Sequence, residues 1–174
     1  IGATSLSKID FRNTRFLDSD KIQSPYFNST NPIVELSGAQ KVPKFLFDML
    51  KSSKAKTIDL TNTSLASNIT DLSTAFYNDQ AVEEIDMTGF DTSHITNKSN
   101  MFNGANHLKT IIGIEGWDVS NATQLSNMFS GDSSLKSMDL SNWKTSKVTD
   151  LSNLFNGDTA LQTVNMSNMD LRNV

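Results

Sequence analysis

The residues whose types could do chemistry are few, and they recur at a fixed spacing. An acid or its amide sits in the middle of an apolar triplet at Ile9-Asp10-Phe11, Val34-Glu35-Leu36, Ile58-Asp59-Leu60, Ile85-Asp86-Met87, Met138-Asp139-Leu140 and Val164-Asn165-Met166. Gly113 takes the corresponding place in the glycine-flanked segment IIGIEGW. With apolar neighbours facing inward, each middle residue points outward by the two-residue period of a strand. Stacked in parallel, such a column holds like charges about 4.8 Å apart, which destabilises unless something offsets it. Three offsets are open. Flanking Ser and Thr residues such as Thr61, Thr88 and Ser141 can donate to the carboxylates. A basic or polar partner can cover them, which makes Glu35, Asp59, Asp86 and Asp139 candidate ligand-binding residues. Calcium can bridge them, although one Asp per rung supplies few of the roughly six to eight oxygens that ion takes.

Lys41, Lys44, Lys51, Lys54 and Lys56 form a second cluster, in a stretch whose one acid is Asp48. It can dock anionic glycans or wall polymers by a salt-sensitive attraction, or it is the solvated face of a helix whose core face carries Phe45, Leu46, Phe47 and Leu50. Phe90, Trp117 and Trp143 recur at one repeat position. They form either a platform for sugar rings or a row of plugs at the corner after each strand. Catalytic chemistry finds little to use. The two histidines, His94 and His107, make no metal-spacing pair, and zero cysteines remove thiolate nucleophiles, thiolate zinc sites and disulfides. Neither a G-x-S-x-G elbow nor a phosphate-cradling glycine loop occurs. The expectation is a protein that is not an enzyme and has no cofactor and no metal site.

The elements that position these residues follow from the period. Phe76, Phe102, Phe129 and Phe155 lie 26, 27 and 26 residues apart, and the extra residue falls in IIGIEGW, where a bulge can absorb it. Each triplet extends to L-x-x-L-x-L, as in Leu135, Met138 and Leu140, which is a leucine-rich-repeat strand signature. A turn rich in Asn, Gly, Asp, Ser and Thr follows. Apolar residues at i, i+3 and i+4, as in Leu125, Met128 and Phe129 or Leu151, Leu154 and Phe155, then predict a short helical turn with Thr123 and Thr149 as N-caps. One repeat cannot bury its apolar face alone, so the copies must stack. The expected fold class is an α/β solenoid of leucine-rich repeats, with about seven short parallel strands on one face and short helical turns on the other. Phe76, Phe102, Phe129, Phe155, Trp117, Trp143, Met138 and Leu140 are its expected structural core.

Residues 1–54 read as degenerate N-terminal repeats or a cap, with a helix near 43–52 that carries Pro43 in its first turn. They are continuous with regular repeats over 55–174. The C-terminal MSNMDLRNV stops just before the next expected turn, and the first residue is Ile1, so an excised piece of a longer protein is expected. With 37% hydrophobic and 20% charged residues, the 174-residue chain fits one folded unit. Residues 1–56 carry nine Lys or Arg against five acids, and residues 57–174 six against fourteen. A sequence pI near 5.0, with no stacking motif beside the lysines, argues against nucleic acid. No apolar run approaches the roughly 18–20 residues of a membrane span, and a monomer is expected.

Over Trp117–Phe155 the repeat resembles the 26-residue-repeat, BspA-like leucine-rich surface proteins of Gram-positive bacteria and mycoplasmas. The resemblance rests on the aromatic-x-x-Ser turns Phe90-Asp91-Thr92-Ser93, Trp117-Asp118-Val119-Ser120 and Trp143-Lys144-Thr145-Ser146, and on the N-M/L-F segments ending at Phe102, Phe129 and Phe155. It departs from the family at Lys98, where Met or Leu is expected. It departs also at Asp79, Ala105, Asp132 and Asp158, where Cys is frequent. What the resemblance implies is an exported adhesin, attached to the cell wall by regions outside this chain, that contacts host glycoprotein, mucin or extracellular-matrix protein. The alternative is a structural spacer or stalk in such a protein. No binding residue carries over from the family.

Overall fold

The computed structural model describes residues 8–16, 33–51 and 54–174. The first two residues of each triplet form a three-residue strand with the residue before them, and the bulged segment contributes Thr110–Ile112: β1 Lys8–Asp10, β2 Ile33–Glu35, β3 Thr57–Asp59, β4 Glu84–Asp86, β5 Thr110–Ile112, β6 Ser137–Asp139 and β7 Thr163–Asn165. The strands pair in parallel, Ile9 against Val34, Val34 against Ile58, Ile58 against Ile85 and Ile85 against Ile111, so one inward column of branched side chains runs through the core. The chain is a parallel-strand β-solenoid with little helix. Expectations for residues 17–32 lie outside the described residues.

Three-residue strands are too short to hold a sheet by themselves, and further ladders run along other sides of each turn of the solenoid. One is a set of parallel bridges, Asp71 to Asn97, Asn97 to Gln124 and Gln124 to Asp150. Another passes through the phenylalanines: Phe76 N donates to Met101 O, Phe102 N to Met128 O and Phe129 N to Leu154 O, at 2.7, 2.9 and 3.1 Å. Inside, Phe76, Phe102 and Phe129 are fully buried. Their rings stack with Phe155 at centroid spacings of 5.4, 5.6 and 5.5 Å and near-parallel planes. Phe47 closes the row edge-on at 5.8 Å.

The helical turns expected after each strand are not helices. Among the described residues the helical segments are α1, Phe45–Lys51, and a single 3-10 turn at Ile114–Gly116. In place of each helical turn stand two successive β-turns, seen at Ala75 N to Leu72 O and Asp79 N to Phe76 O. The third residue of each is left-handed: Thr74, Asn100, Asn127 and Asn153 have φ of 63, 55, 54 and 55°. A left-handed residue ends an α-helix. It also turns its N–H along the solenoid, so Asn100 N donates to Ser126 O and Asn127 N to Ser152 O. The apolar spacing that imitates a helix is thus produced by paired turns. Thr123 and Thr149 cap nothing. Their hydroxyls donate to the carbonyls of Thr96 and Thr123 in the preceding turn. Where a longer helix was expected near 43–52, α1 forms, with Phe47 and Leu50 buried.

The strands do not make one continuous row. β1 to β5 form one sheet and β6 and β7 another. The break follows the extra residue. Gly113 adopts φ 82°, and a Cβ there would lie 2.6 Å from the backbone nitrogen of Thr88, so only glycine can pass so close to the preceding turn. The bulge also moves the outward column by one: Ile112, not Gly113, stands in register with Asp86.

Candidate binding site at the break in the sheet

The bulge leaves β5 and β6 unpaired, and a cleft of about 500 Å³ opens between them. Its floor is apolar, from Ile111, Ile114 and Met138, and its rim is polar, from Thr110, Glu115, Ser137 and Thr163. Ile111 and Met138 are 8% and 7% exposed, whereas the corresponding Ile58 and Ile85 are wholly buried, so solvent reaches these inward side chains at the break. The cleft stays open because the connection after β5 is held elsewhere. Trp143 Nε1 donates to Ile114 O at 3.0 Å and pins the 3-10 turn against the core. Glu115, on that turn, stands at one end of the cleft. Lys109 joins Glu83 at 2.7 Å, and Glu83 also meets Lys56 at 3.0 Å. Hydrogen bonds from Lys109 and then Lys56 hold the Glu83 carboxyl down to about 2. Of the residues lining the cleft, only Asp139 was singled out for binding from the sequence. The cleft's one legible signal was the extra residue.

The acidic column is occupied with its own backbone. Asp59, Asp86 and Asp139 accept from the amides of Thr61, Thr88 and Ser141 at 2.8, 2.9 and 2.9 Å. A hydrogen bond from the Ser141 side chain, and then the one from its backbone, lower the Asp139 carboxyl. The donor is chiefly the backbone N–H two residues on, so these carboxylates shape the turn that follows each strand. Asp10 likewise accepts from Arg12 N at 3.0 Å, and it and Glu35 are bridged by cations: Lys8 and Arg12 reach Glu35 at 2.9 and 2.8 Å, and Arg12 reaches Asp10 at 2.7 Å. Asp139 alone of the candidate acids lines the cleft. No group of three or more His, Asp or Glu able to hold a metal ion occurs among the described residues.

The lysine cluster divides. Lys44 faces Asp71 at 3.7 Å, and Lys41 lies in the left-handed region at φ 59° on a different stretch of chain. Lys51 and Lys54 come together with Lys56 and His107 around a second pocket, of about 540 Å³. The aromatic row is internal: Phe90, Trp117 and Trp143 are 4, 3 and 1% exposed, which leaves no ring face for a sugar. Met138 and Leu140 are buried as well.

Two buried features were not legible as such. Lys98 is fully buried in the column of Leu72 and Leu125, and its ammonium donates to Ile95 O at 2.8 Å. Desolvation lowers its pKa to about 8. Asp132 is fully buried, accepting from Ala105 N, while Asp158 below it accepts from Asp132 N, both at 2.9 Å. Burial, with the Asp158 charge beneath, pushes Asp132 up to about 9.

The family model described as Mycoplasma protein of unknown function, DUF285, matches residues 46–174. No curated protein and no solved structure matches the chain. No helix among the described residues is long and apolar enough to cross a membrane.

Proposed function

The chain belongs to that DUF285 family, and on this premise we propose that it is a non-enzymatic binding domain of a cell-surface protein, an adhesin that contacts host glycoprotein, mucin or matrix protein. The carrying observation is the cleft between β5 and β6. A solenoid that only separates two other parts has no use for a concave site, and this one opens where an inserted residue removes strand pairing and leaves an apolar floor within a polar rim. Such a concavity has the make-up of a ligand site. We assign the repeat itself to the 26-residue leucine-rich kind of BspA-like surface proteins. Support comes from hydrogen bonds that join residues 26 or 27 apart, and from Leu135, Met138 and Leu140 filling the inward positions of L-x-x-L-x-L. The second reading, a spacer, is favoured by the acidic column, whose members are satisfied within their own turns.

Immobilised mucin, fibronectin and collagen separate the two readings. The domain is expected to bind at least one of them. Ser137 and Thr163 are exposed on the cleft rim, so the double variant Ser137→Arg/Thr163→Arg fills the cleft without touching the core. It is expected to bind about tenfold or more weakly, roughly 1.4 kcal/mol, at an unchanged melting temperature. Binding to none of the three surfaces would leave the spacer; undiminished binding by the variant would move the contact off the cleft.

A further inference from the structure

The second pocket carries a ligand class of its own. It lies where the end of α1 and the following Lys54 and Lys56 meet the Asn78–Ala81 turn and His107. Its charges cancel only in part, since Asp79 and Glu83 face three lysines and the Asp79 charge acts on Lys51. Glu83 is shared between Lys56 and Lys109. Lys51 meets Asp48 only at 3.8 Å, with the Asp48 side chain 66% exposed. Lys54 has no ion pair among the described residues.

The pocket is more than a patch of lysines. Asp79 lines it while being 1% exposed. One of its carboxylate oxygens accepts from the amides of Ala81 and Val82 at 3.0 and 3.2 Å. The other, Oδ2, is buried without a hydrogen-bond partner. A buried acceptor left without a donor is costly, and an occupant that offers a hydroxyl at that wall relieves the cost. Beside it, Gln80 and Asn78 add neutral polar groups, and Ala81 with the lysine stems adds apolar surface. A bare inorganic anion would use the ammonium groups alone. A molecule carrying both a negative group and neighbouring hydroxyls uses the whole wall, and a volume of about 540 Å³ lies within the size range of ligand sites.

We propose that this pocket binds an acidic saccharide, with Lys51 and Lys54 holding its carboxylate or sulfate and Asp79 accepting from an adjacent sugar hydroxyl. The inference goes beyond the cleft reading. It names a second site on a different part of the solenoid, and it stands or falls separately.

The test is titration calorimetry of the whole chain with four probes: sialyllactose, a heparin tetrasaccharide, neutral lactose and sodium sulfate. At least one acidic saccharide is expected to bind, lactose and sulfate to bind about tenfold or more weakly, and added salt to weaken the acidic probe. Lys51→Gln/Lys54→Gln is expected to abolish that binding at an unchanged melting temperature, with Lys136→Gln as the exposed control that keeps it. Asp79→Asn retains an acceptor for Ala81 and Val82 but presents an amide at the wall, and is expected to lower the preference for saccharide over sulfate. Ser137→Arg/Thr163→Arg should leave saccharide binding intact, so that a failure of the cleft reading and a failure here are told apart. The proposal is overturned if neither acidic saccharide binds, if sulfate binds as well as they do, or if the double lysine variant binds as tightly as the parent.

Discussion

Asp132 shows how one residue in a stacked repeat acquires unusual chemistry. In an isolated turn its carboxyl would be solvated, but here the next turn covers it and sets Asp158 beneath it. Burial raises Asp132 to about 9, and raises Asp79 and Asp158 to about 6. A carboxyl that is easier to protonate in the folded state stabilises the fold fully below its unfolded pKa, near 3.8, and that contribution is lost as pH rises to the folded value. All three groups therefore lower stability between about pH 4 and 6, and Asp132 alone goes on lowering it toward 9. Lys98 acts in the opposite sense, but only above its folded value of about 8. The melting temperature is expected to be higher at pH 5 than at pH 8. Asp132→Asn keeps the acceptor for Ala105 N and should raise the pH 8 value by about 2–4 °C for each ~1 kcal/mol recovered, with little change at pH 4. Equal melting temperatures at pH 5 and 8 in the parent would contradict this. In the sequence, Asp79, Ala105, Asp132 and Asp158 already fell at one repeat position. Their burial was not legible, because exposure at a corner depends on how closely the next turn lies over it.

At the scale of elements, the strand positions and α1 could be read from apolar spacing, and the segments between them were misread for a definite reason. Leu125, Met128 and Phe129 satisfy the helical spacing, yet Asn127 between them is left-handed and sends its N–H to Ser152 O. The recurrent Asn at 100, 127 and 153 was the available signal, since Asn tolerates the left-handed region better than most residues. Hydrogen bonds to the next turn then replace those a helix would make within itself. The bulge was legible as an inserted residue, but its consequence was not: pairing is lost between β5 and β6, and Ile112 takes the outward register. Gly113→Ala tests that account. A side chain at φ 82°, pressed against the backbone of Thr88, should cost about 1–3 kcal/mol, read as a lower midpoint in chemical denaturation. Gly116→Ala, with nothing within 4 Å of the added carbon, should cost less than half as much. Equal losses in the two variants would mean that the close approach at Gly113 does not shape the bulge.

Across the whole molecule, the break poses the question of whether the chain unfolds as one unit or two. Turn-to-turn contacts are the only long-range contacts a solenoid has, so each interface sets the coupling between its sides. Where β5 and β6 separate, the other sides of the same two turns remain joined: Leu125 N donates to Asp150 O, Phe129 N to Leu154 O and Gly131 N to Asn156 O, at 3.0, 3.1 and 2.8 Å. Through the core, the Phe129 and Phe155 rings stack at 5.5 Å, between the spacings of 5.4 and 5.6 Å on either side of Phe102. The Trp143 indole reaches back to Ile114 across the break itself. Against these stands one missing strand pair of three residues, so the interface keeps most of its bonding. Two tryptophans report on the two sides, Trp117 before the break and Trp143 after it. In the single-tryptophan variants Trp117→Phe and Trp143→Phe, fluorescence should melt in step with circular dichroism, within about 2 °C in each, the coincidence of probes expected of a two-state transition. Phe is the residue already present at this repeat position in Phe90, so the ring column is kept, while Trp143→Phe also removes the indole bond to Ile114 and so tests the coupling without it. An earlier transition at Trp143 than at Trp117 would show that the cleft divides the solenoid into two folding units, and that the remaining ladders do not couple them.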